Sequence, residues 1–339
     1  MQPMNGISRR TVLAAGLALA AGPVRTLAAQ SAARIHTATG PIAPERLGTT
    51  LIHEHVLVDF IGAPQVSSAR YEREAAFGKI LPFLRDVRKN GCNTLVECTP
   101  AYLARDVRLL QRLSKASGLT ILTNTGLYGA AQDRFVPGYA YLESPEQLAA
   151  RWIREWQQGI DGTDIRPAFM KIGVDEGPLS AIDARLVQAA ALTHLKTRLR
   201  IHSHTGNGVA AFEQLELLQH AGVPASAFVW VHAQSEKDGE AHVQAAKRGA
   251  WVEFDGVSDT TIDRHVQLVT AMKSQGLLGR VLVSQDAGWY RVGEPDGGQF
   301  RPFGTLFTRF VPALEAAGVT KAEIRRLLVD NPREVLTPS

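Results

Sequence analysis

Cysteine is nearly absent: the 339 residues contain two, Cys92 and Cys98. Both fall in GCNTLVECT, read here as one strand, and six residues of extended chain part them by about 20 Å. That is beyond disulfide reach, and without a CxxC pair they make no thiolate zinc site. Buried thiols are the expectation. No GxSxG elbow is present, so the usual serine-hydrolase signature is missing. The TGNG after His204 has no Lys-Ser/Thr behind it, which excludes a P-loop. The first 33 residues contain no acid, and no apolar run reaches the roughly 20 residues that a transmembrane helix needs. Net charge is low as well: of the formal +4, Arg9, Arg10 and Arg25 supply three. A remainder near +1 gives no electrostatic reason to expect nucleic acid as a partner. Linkers and low-complexity tracts are also lacking, which argues for one domain.

What is present begins at the N-terminus. Ser8-Arg9-Arg10 precedes a short apolar stretch, Leu13 to Ala21, and then small residues from Ala28 to Ala33. A charged segment, a short apolar segment and a small-residue cleavage zone describe an export signal, and the paired arginines point to the twin-arginine type. Residues 1–33 are therefore read as a signal peptide and 34–339 as the mature barrel domain. The protein is expected in the periplasm or outside the cell, exported folded with its metal already bound, and with no stable membrane anchor once the signal is removed.

From Ile35 onward the chain alternates apolar runs with amphipathic segments. A short β lead, ARIHTATGPIAP, comes first. The strand candidates are TTLIHEH, NTLVECT, LTILTNTG, AFMKIGV, LRIHSHTG, AFVWVHA, AWVEFDGV and RVLVSQDAG. Helical stretches such as SPEQLAARWIREWQQGI lie between them, opening on Ser-Pro or Asp and closing on Gly. Apolar strands alternating with helices predict a parallel sheet covered on both faces. Eight such units predict an α/β fold of the (β/α)8 TIM-barrel type. The turn-rich Gly293–Arg301 reads as a mobile loop after the eighth strand.

Metal-capable residues recur at the ends of these strands. His53 and His55 are two apart, so both face one side of a strand while Glu54 faces the other. Lys171 follows AFM. A lysine inside an apolar barrel is costly unless paired or neutral; it is either solvated at the strand mouth or carbamylated into an anionic bridge. His204 lies nearer its strand mouth than His202, which reads as a core or hydrogen-bonding histidine. His232 ends FVWV. Asp286 follows VLVSQ and can both bind metal and accept a proton. His36, His194, His220, His242 and His265 fall in the lead or in helical stretches and are left out of the site.

With these residues the chain resembles the phosphotriesterase family of binuclear metal hydrolases in the amidohydrolase superfamily. The likeness runs from about Ile35 to Pro332 through TATGPIAPERLGTTLIHEH, RDVRLL, TGLY, SPEQLAARWIREWQQGIDGTDIRPAFMKIG and DNPREVL. It implies a (β/α)8 barrel with two divalent metals at the C-terminal mouth. By that resemblance His53, His55 and Asp286 hold the more buried metal, His204 and His232 the more exposed one. Carbamylated Lys171 and a hydroxide bridge the two. Zinc is the first expectation; manganese, cobalt or iron suit the same donors. Family members are often dimers, so a homodimer is implied too.

The second layer departs from the family. Gly256 stands after Asp255 where phosphotriesterases carry a histidine and related lactonases an arginine. Glu97, Tyr128, Gln234, Asp255, Trp289 and Tyr290 are the candidates to line the substrate pocket. The reading is an exported hydrolase of a small uncharged ester-like molecule, a lactone or carboxylic ester, attacked by the metal-bridging hydroxide with Asp286 as proton acceptor. The alternatives are a phosphotriesterase or phosphodiesterase on the same centre, and a metal-containing binding protein that has lost catalysis.

Overall fold

In a computed structural model of the protein, residues 33–338 are described. The export-signal reading falls outside them. The strands are β1 (Thr50–Val58), β2 (Thr94–Glu97), β3 (Thr120–Leu122), β4 (Asn124–Thr125), β5 (Phe169–Val174), β6 (Ile201–Thr205), β7 (Phe228–Val231), β8 (Trp251–Phe254), β9 (Val281–Val283) and β10 (Gly288–Arg291). All pair in parallel, in the orders β10-β1-β2-β3 and β4-β5-β6-β7-β8-β9. Thr123 alone separates β3 from β4, and Ser284–Ala287 separates β9 from β10. Counted as interrupted strands, these give the eight staves expected. The arc closes through Asp286 N–H to His53 O at 3.1 Å and His55 N–H to Ala287 O at 2.9 Å.

Eight helices alternate with the staves: α1 (Arg73–Lys89), α2 (Val107–Ser117), α3 (Pro145–Gln158), α4 (Ala181–Thr197), α5 (Gly208–His220), α6 (Gly239–Lys247), α7 (Ile262–Ser274) and α8 (Val311–Ala316). Their starts follow the capping chemistry in the sequence. Asp106 accepts from Arg108 and Leu109 N–H at the head of α2, and Ser144 forms a capping box with Gln147 on α3. Strand alternation sorts the core. Ile52, Val96, Leu122, Val229, Val231 and Leu282 fill the barrel interior together with Ile35 of the lead and Val335 and Leu336 of the C-terminus. Residues such as Leu95, Ile121, Phe228 and Trp230 join the layer under the helices.

A register shift between Leu51 and Glu54 breaks the alternation of β1; Glu54 lies on the face opposite His53 and His55 and ties the closing seam. It accepts from Ser284 Oγ at 2.8 Å, Ala287 N at 2.7 Å and Gln285 N at 3.2 Å. Burial nevertheless pushes its carboxyl up to about 8. Gly288 starts β10 at φ +97°, and a Cβ there would lie 1.8 Å from His55 O. Gly288→Ala must therefore part β1 from β10 at the metal site. We expect a loss of about 3–5 kcal/mol, the scale of severe core disruptions, read from denaturant unfolding. A midpoint equal to wild type would show that the seam yields freely.

Two expectations are corrected. GCNTLVECT is not one strand: β2 covers only Thr94–Glu97, with Cys92 in the turn after α1 and Cys98 just beyond the strand, both buried and free. The Gly293–Arg301 segment is anchored and does not hang loose. Phe300 stacks on Phe83 at 4.5 Å, and Arg301 pairs with Gly288 in an antiparallel bridge.

Candidate metal centre

The side chains singled out in the sequence converge at the C-terminal mouth of the barrel. His53 is fully buried, with Nδ1 2.7 Å from Glu253 Oε1 and 3.0 Å from Asp255 Oδ2. Its Nε2 lies 3.3 Å from Lys171 Nζ. His55 Nδ1 meets Thr99 Oγ1 at 2.8 Å, and Thr99 Oγ1 in turn donates to Glu97 Oε1 at 2.5 Å. His55 Nε2 is 3.2 Å from Asp286 Oδ1. His232 Nδ1 contacts Asp255 Oδ1 at 2.7 Å, and His204 Nδ1 contacts Tyr128 Oη at 2.9 Å. The rings of His53 and His232 are 5.0 Å apart and those of His204 and His232 4.4 Å. In each of His53, His55 and His232 an oxygen partner holds Nδ1, so Nε2 is the nitrogen that faces the centre.

Electrostatics keeps the imidazoles in the ligating, neutral form. Burial, reinforced by the Lys171 charge, pushes His53 down to about 3. Burial also lowers His55 and holds His204 well below the usual imidazole range. Burial works against the Asp286 anion, but the His55 contact and the neighbouring histidines outweigh it and hold its carboxyl below the usual value. In the Glu253–Asp255 pair burial drives Glu253 well up, whereas His232 and His53 hold Asp255 well down. His232, Asp286 and Trp289 all have left-handed backbone, at φ 62°, 48° and 77°. Residues with side chains seldom adopt this conformation, and it concentrates at functional sites.

A cavity of about 400 Å³ opens over the centre, walled among others by Phe60, Phe135, Tyr128, Trp289 and Cys98. Of the pocket candidates, Tyr128 and Trp289 are on this wall. Glu97, Gln234, Asp255 and Tyr290 are not. Glu97 faces outward beneath His55 and Thr99, and Gln234 and Asp255 brace His232 from behind. Tyr290 alternates away from Trp289 and packs on the Pro295–Gly297 turn. The sequence reading missed Thr99, Glu253, Cys98 and Arg134. Thr99 and Glu253 carry no motif, and Cys98 reads as a core thiol. His202 is buried near Glu253 with its ring 4.7 Å from Phe169, below the centre. His194, His242 and His265 each bond a backbone carbonyl.

A model of the phosphotriesterase family matches residues 33–336. The chain belongs to the phosphotriesterase family. A phosphotriesterase homology protein of Escherichia coli (strain K12) is 28% identical over 85% of this chain and 97% of its own. An aryldialkylphosphatase of Saccharolobus solfataricus is 23% identical over 86% and 96%, and an N-acetyltaurine hydrolase of Bos taurus 25% over 90% and 98%. A solved structure from the engineering of organophosphate hydrolysis activity out of a weak promiscuous lactonase template superposes with a TM-score of 0.80. It is 25% identical and covers 89% of this chain and 99% of its own. As a member of this family the protein is a metal-dependent hydrolase of ester bonds in small molecules.

The residues fit the binuclear centre of the phosphotriesterase family. One ligand atom from each of His53, His55 and Asp286 lies within 4.8 Å of the others. His55 Nδ1 is held by Thr99 and Nε2 faces Asp286 Oδ1 at 3.2 Å, an N···O pair that a proton or a metal cation can join. The altered second layer also has a steric basis. A Cβ on Gly256 would meet Gln234 Nε2 at 2.9 Å and His265 Nε2 at 3.2 Å, so the glutamine and the α7 histidine occupy the space that a larger residue would need. Gln234 clamps Asp255 from both sides, Nε2 to Oδ1 at 2.7 Å and Oε1 to the backbone N–H at 3.2 Å. Loss of such an outer partner typically costs 10- to 100-fold in metal affinity. We expect Gln234→Ala to weaken metal retention by about tenfold in a chelator competition; unchanged retention would show that His232 orients Asp255 unaided.

Proposed function

We propose that this phosphotriesterase-family hydrolase cleaves a lactone or carboxylic ester, with His53, His55 and Asp286 holding one divalent ion and His204 and His232 a second. Lys171, once carbamylated, would offer oxygens to these ions, and zinc suits the donors best. A bound ion pair would supply Lewis acidity to the electrophilic oxygen and acidify a water. Asp286 Oδ1 accepts the proton released on attack. Its orientation is fixed by its own carbonyl, which accepts from Trp289 Nε1 and Arg301 Nη1, each at 2.8 Å. Phe60, Phe135 and Trp289 exclude water from the acyl portion of the substrate.

The observation that favours a carbonyl over a phosphoryl substrate is Gly256, whose place beside Asp255 is filled by Gln234 and by His265 of α7 and not by a side chain of its own. The N-acetyltaurine hydrolase relatives, named for cleaving an N-acetyl compound, support the same preference. An aryl phosphotriester activity, suggested by the aryldialkylphosphatase relative, is the second reading. Arg9 and Arg10 ahead of the apolar stretch from Leu13 to Ala21 support export, with the reaction outside the cytoplasm. The test is metal content by elemental analysis, read beside kcat/KM for a lactone panel, aryl esters and aryl phosphotriesters on one preparation. About two metals with lactone or ester turnover supports the proposal; a larger kcat/KM for the phosphotriester overturns the substrate class.

A further inference from the structure

We infer that the substrate end remote from the scissile bond carries a carboxylate, held by Arg134 at the cavity mouth; the inference rests on the ester-hydrolase reading above. Arg134 and Lys171 are the cationic residues on the cavity wall, and Asp286 is the acidic one. Lys171 is buried on the floor, so Arg134 is the charge that an incoming substrate meets. Its side chain forms no hydrogen bond or ion pair with any described residue. The ring of Phe135 lies 5.8 Å from the guanidinium carbon, and the side chain also runs past Gly62. Other arginines of this region are spoken for, Arg73 by Asp106, Arg105 by Glu155 and Arg151 by Glu143. Arg134 thus offers a planar fork of donors at the entrance.

The backbone holds that fork in place. Ala131, Gln132 and Asp133 run consecutively at φ 61°, 57° and 59°, a left-handed turn that residues with a Cβ disfavour. The Asp175 carboxylate after β5 clamps it, accepting from Ala131 N at 2.8 Å and Gln132 N at 2.9 Å. On the other side Arg134 O accepts from Ala63 N at 3.0 Å. The next residue, Phe135, has its ring 6.0 Å from Phe60 and 5.9 Å from Tyr128, and Tyr128 bonds His204. The Arg134 backbone, from which the guanidinium reaches the mouth, is therefore tied to the metal centre by one packed chain. Asp175 is committed to the turn, and Asp133 bonds Tyr141, so neither acid neutralises it by contact. An arginine fork matches a carboxylate in two parallel hydrogen bonds. The half-solvated mouth makes that attraction sensitive to salt.

The test compares 4-nitrophenyl hydrogen adipate with its methyl ester on the metal-loaded full chain, at low and high salt. Wild type should favour the acid by about tenfold in kcat/KM, chiefly through KM, as expected for a charge-assisted pair. The preference should shrink in salt, vanish in Arg134→Gln and survive in part in Arg134→Lys, with kcat/KM falling far more for the acid than for the neutral ester. Equal use of both esters by wild type, or a parallel fall for both in Arg134→Gln, overturns the inference. If neither ester is cleaved, the ester reading fails separately, and calorimetric binding of monomethyl adipate decides. Binding by wild type that Arg134→Gln loses supports the anion site; equal or absent binding overturns it.

Discussion

Asp286→Asn is expected to lower kcat by about 10³-fold, within the range that a positioned general base contributes, while the fold persists. The substitution is nearly isosteric, and asparagine is among the few residues that tolerate left-handed backbone, which Asp286 adopts at φ 48°. The carbonyl contacts to Trp289 and Arg301 do not involve the carboxylate. What changes is the atom facing His55 Nε2 at 3.2 Å: an amide can neither take a proton near neutral pH nor balance the charge of a divalent ion as an anion does. The thermal midpoint of the metal-free protein should move little, and kcat/KM should fall with kcat, because the lost interaction belongs to the transition state. The wild-type carboxyl is held below its ordinary value, so it stays ionised and ready through neutral pH, and activity should fall off only on the acid side. A variant retaining kcat within tenfold of wild type, with its metal in place, would remove Asp286 from the proton-accepting role.

Much of this site could be read in the sequence because barrel topology turns position along the chain into position in space. A polar residue at the end of an apolar run is placed at one mouth, whichever stave carries it. That rule gathers His53, His55, Lys171, His204, His232 and Asp286 from a span of over two hundred residues. It fails for the next layer, where placement depends on local twist. Glu97 ends β2 like a ligand, yet β2 stops there with Val96 and Cys98 facing inward, so the carboxyl lies behind Thr99. Tyr290 and Trp289 are neighbours, and only the break after β9 decides which faces the cavity. Glu253 lies within an ordinary strand pattern, WVEF, and becomes informative only when His53 is found on it. Arg134 sits in a loop whose three left-handed residues have no sequence signature, since none is glycine.

If the proposed carbamate forms, Lys171 is where metal and chain depend on one another most. It is 2% exposed, with its Nζ beside His53 Nε2 and no carboxylate bonded to it. An ammonium there is unpaired in a dry floor and unfavourable, and it presses His53, His55 and His204 toward neutrality. Loss of one proton from the ammonium, then addition of CO2 with loss of a second, gives a carbamate anion with two oxygens, whose charge bound cations would balance. Apo protein reconstituted with zinc in CO2-free buffer should therefore take up metal incompletely and show little activity. Added bicarbonate should restore both, with a carbamate carbon visible by NMR when the bicarbonate is labelled. Lys171→Met keeps the apolar stem and removes the amine. It should lower kcat/KM by about 10³-fold, comparable to loss of the Lewis-acid contribution, and bicarbonate should not rescue it. Its apo form should be at least as stable as wild type, because a buried charge has been exchanged for an apolar group. Full zinc loading and full activity without CO2 would rule out the carbamate and leave Lys171 as an amine that tunes the neighbouring histidines.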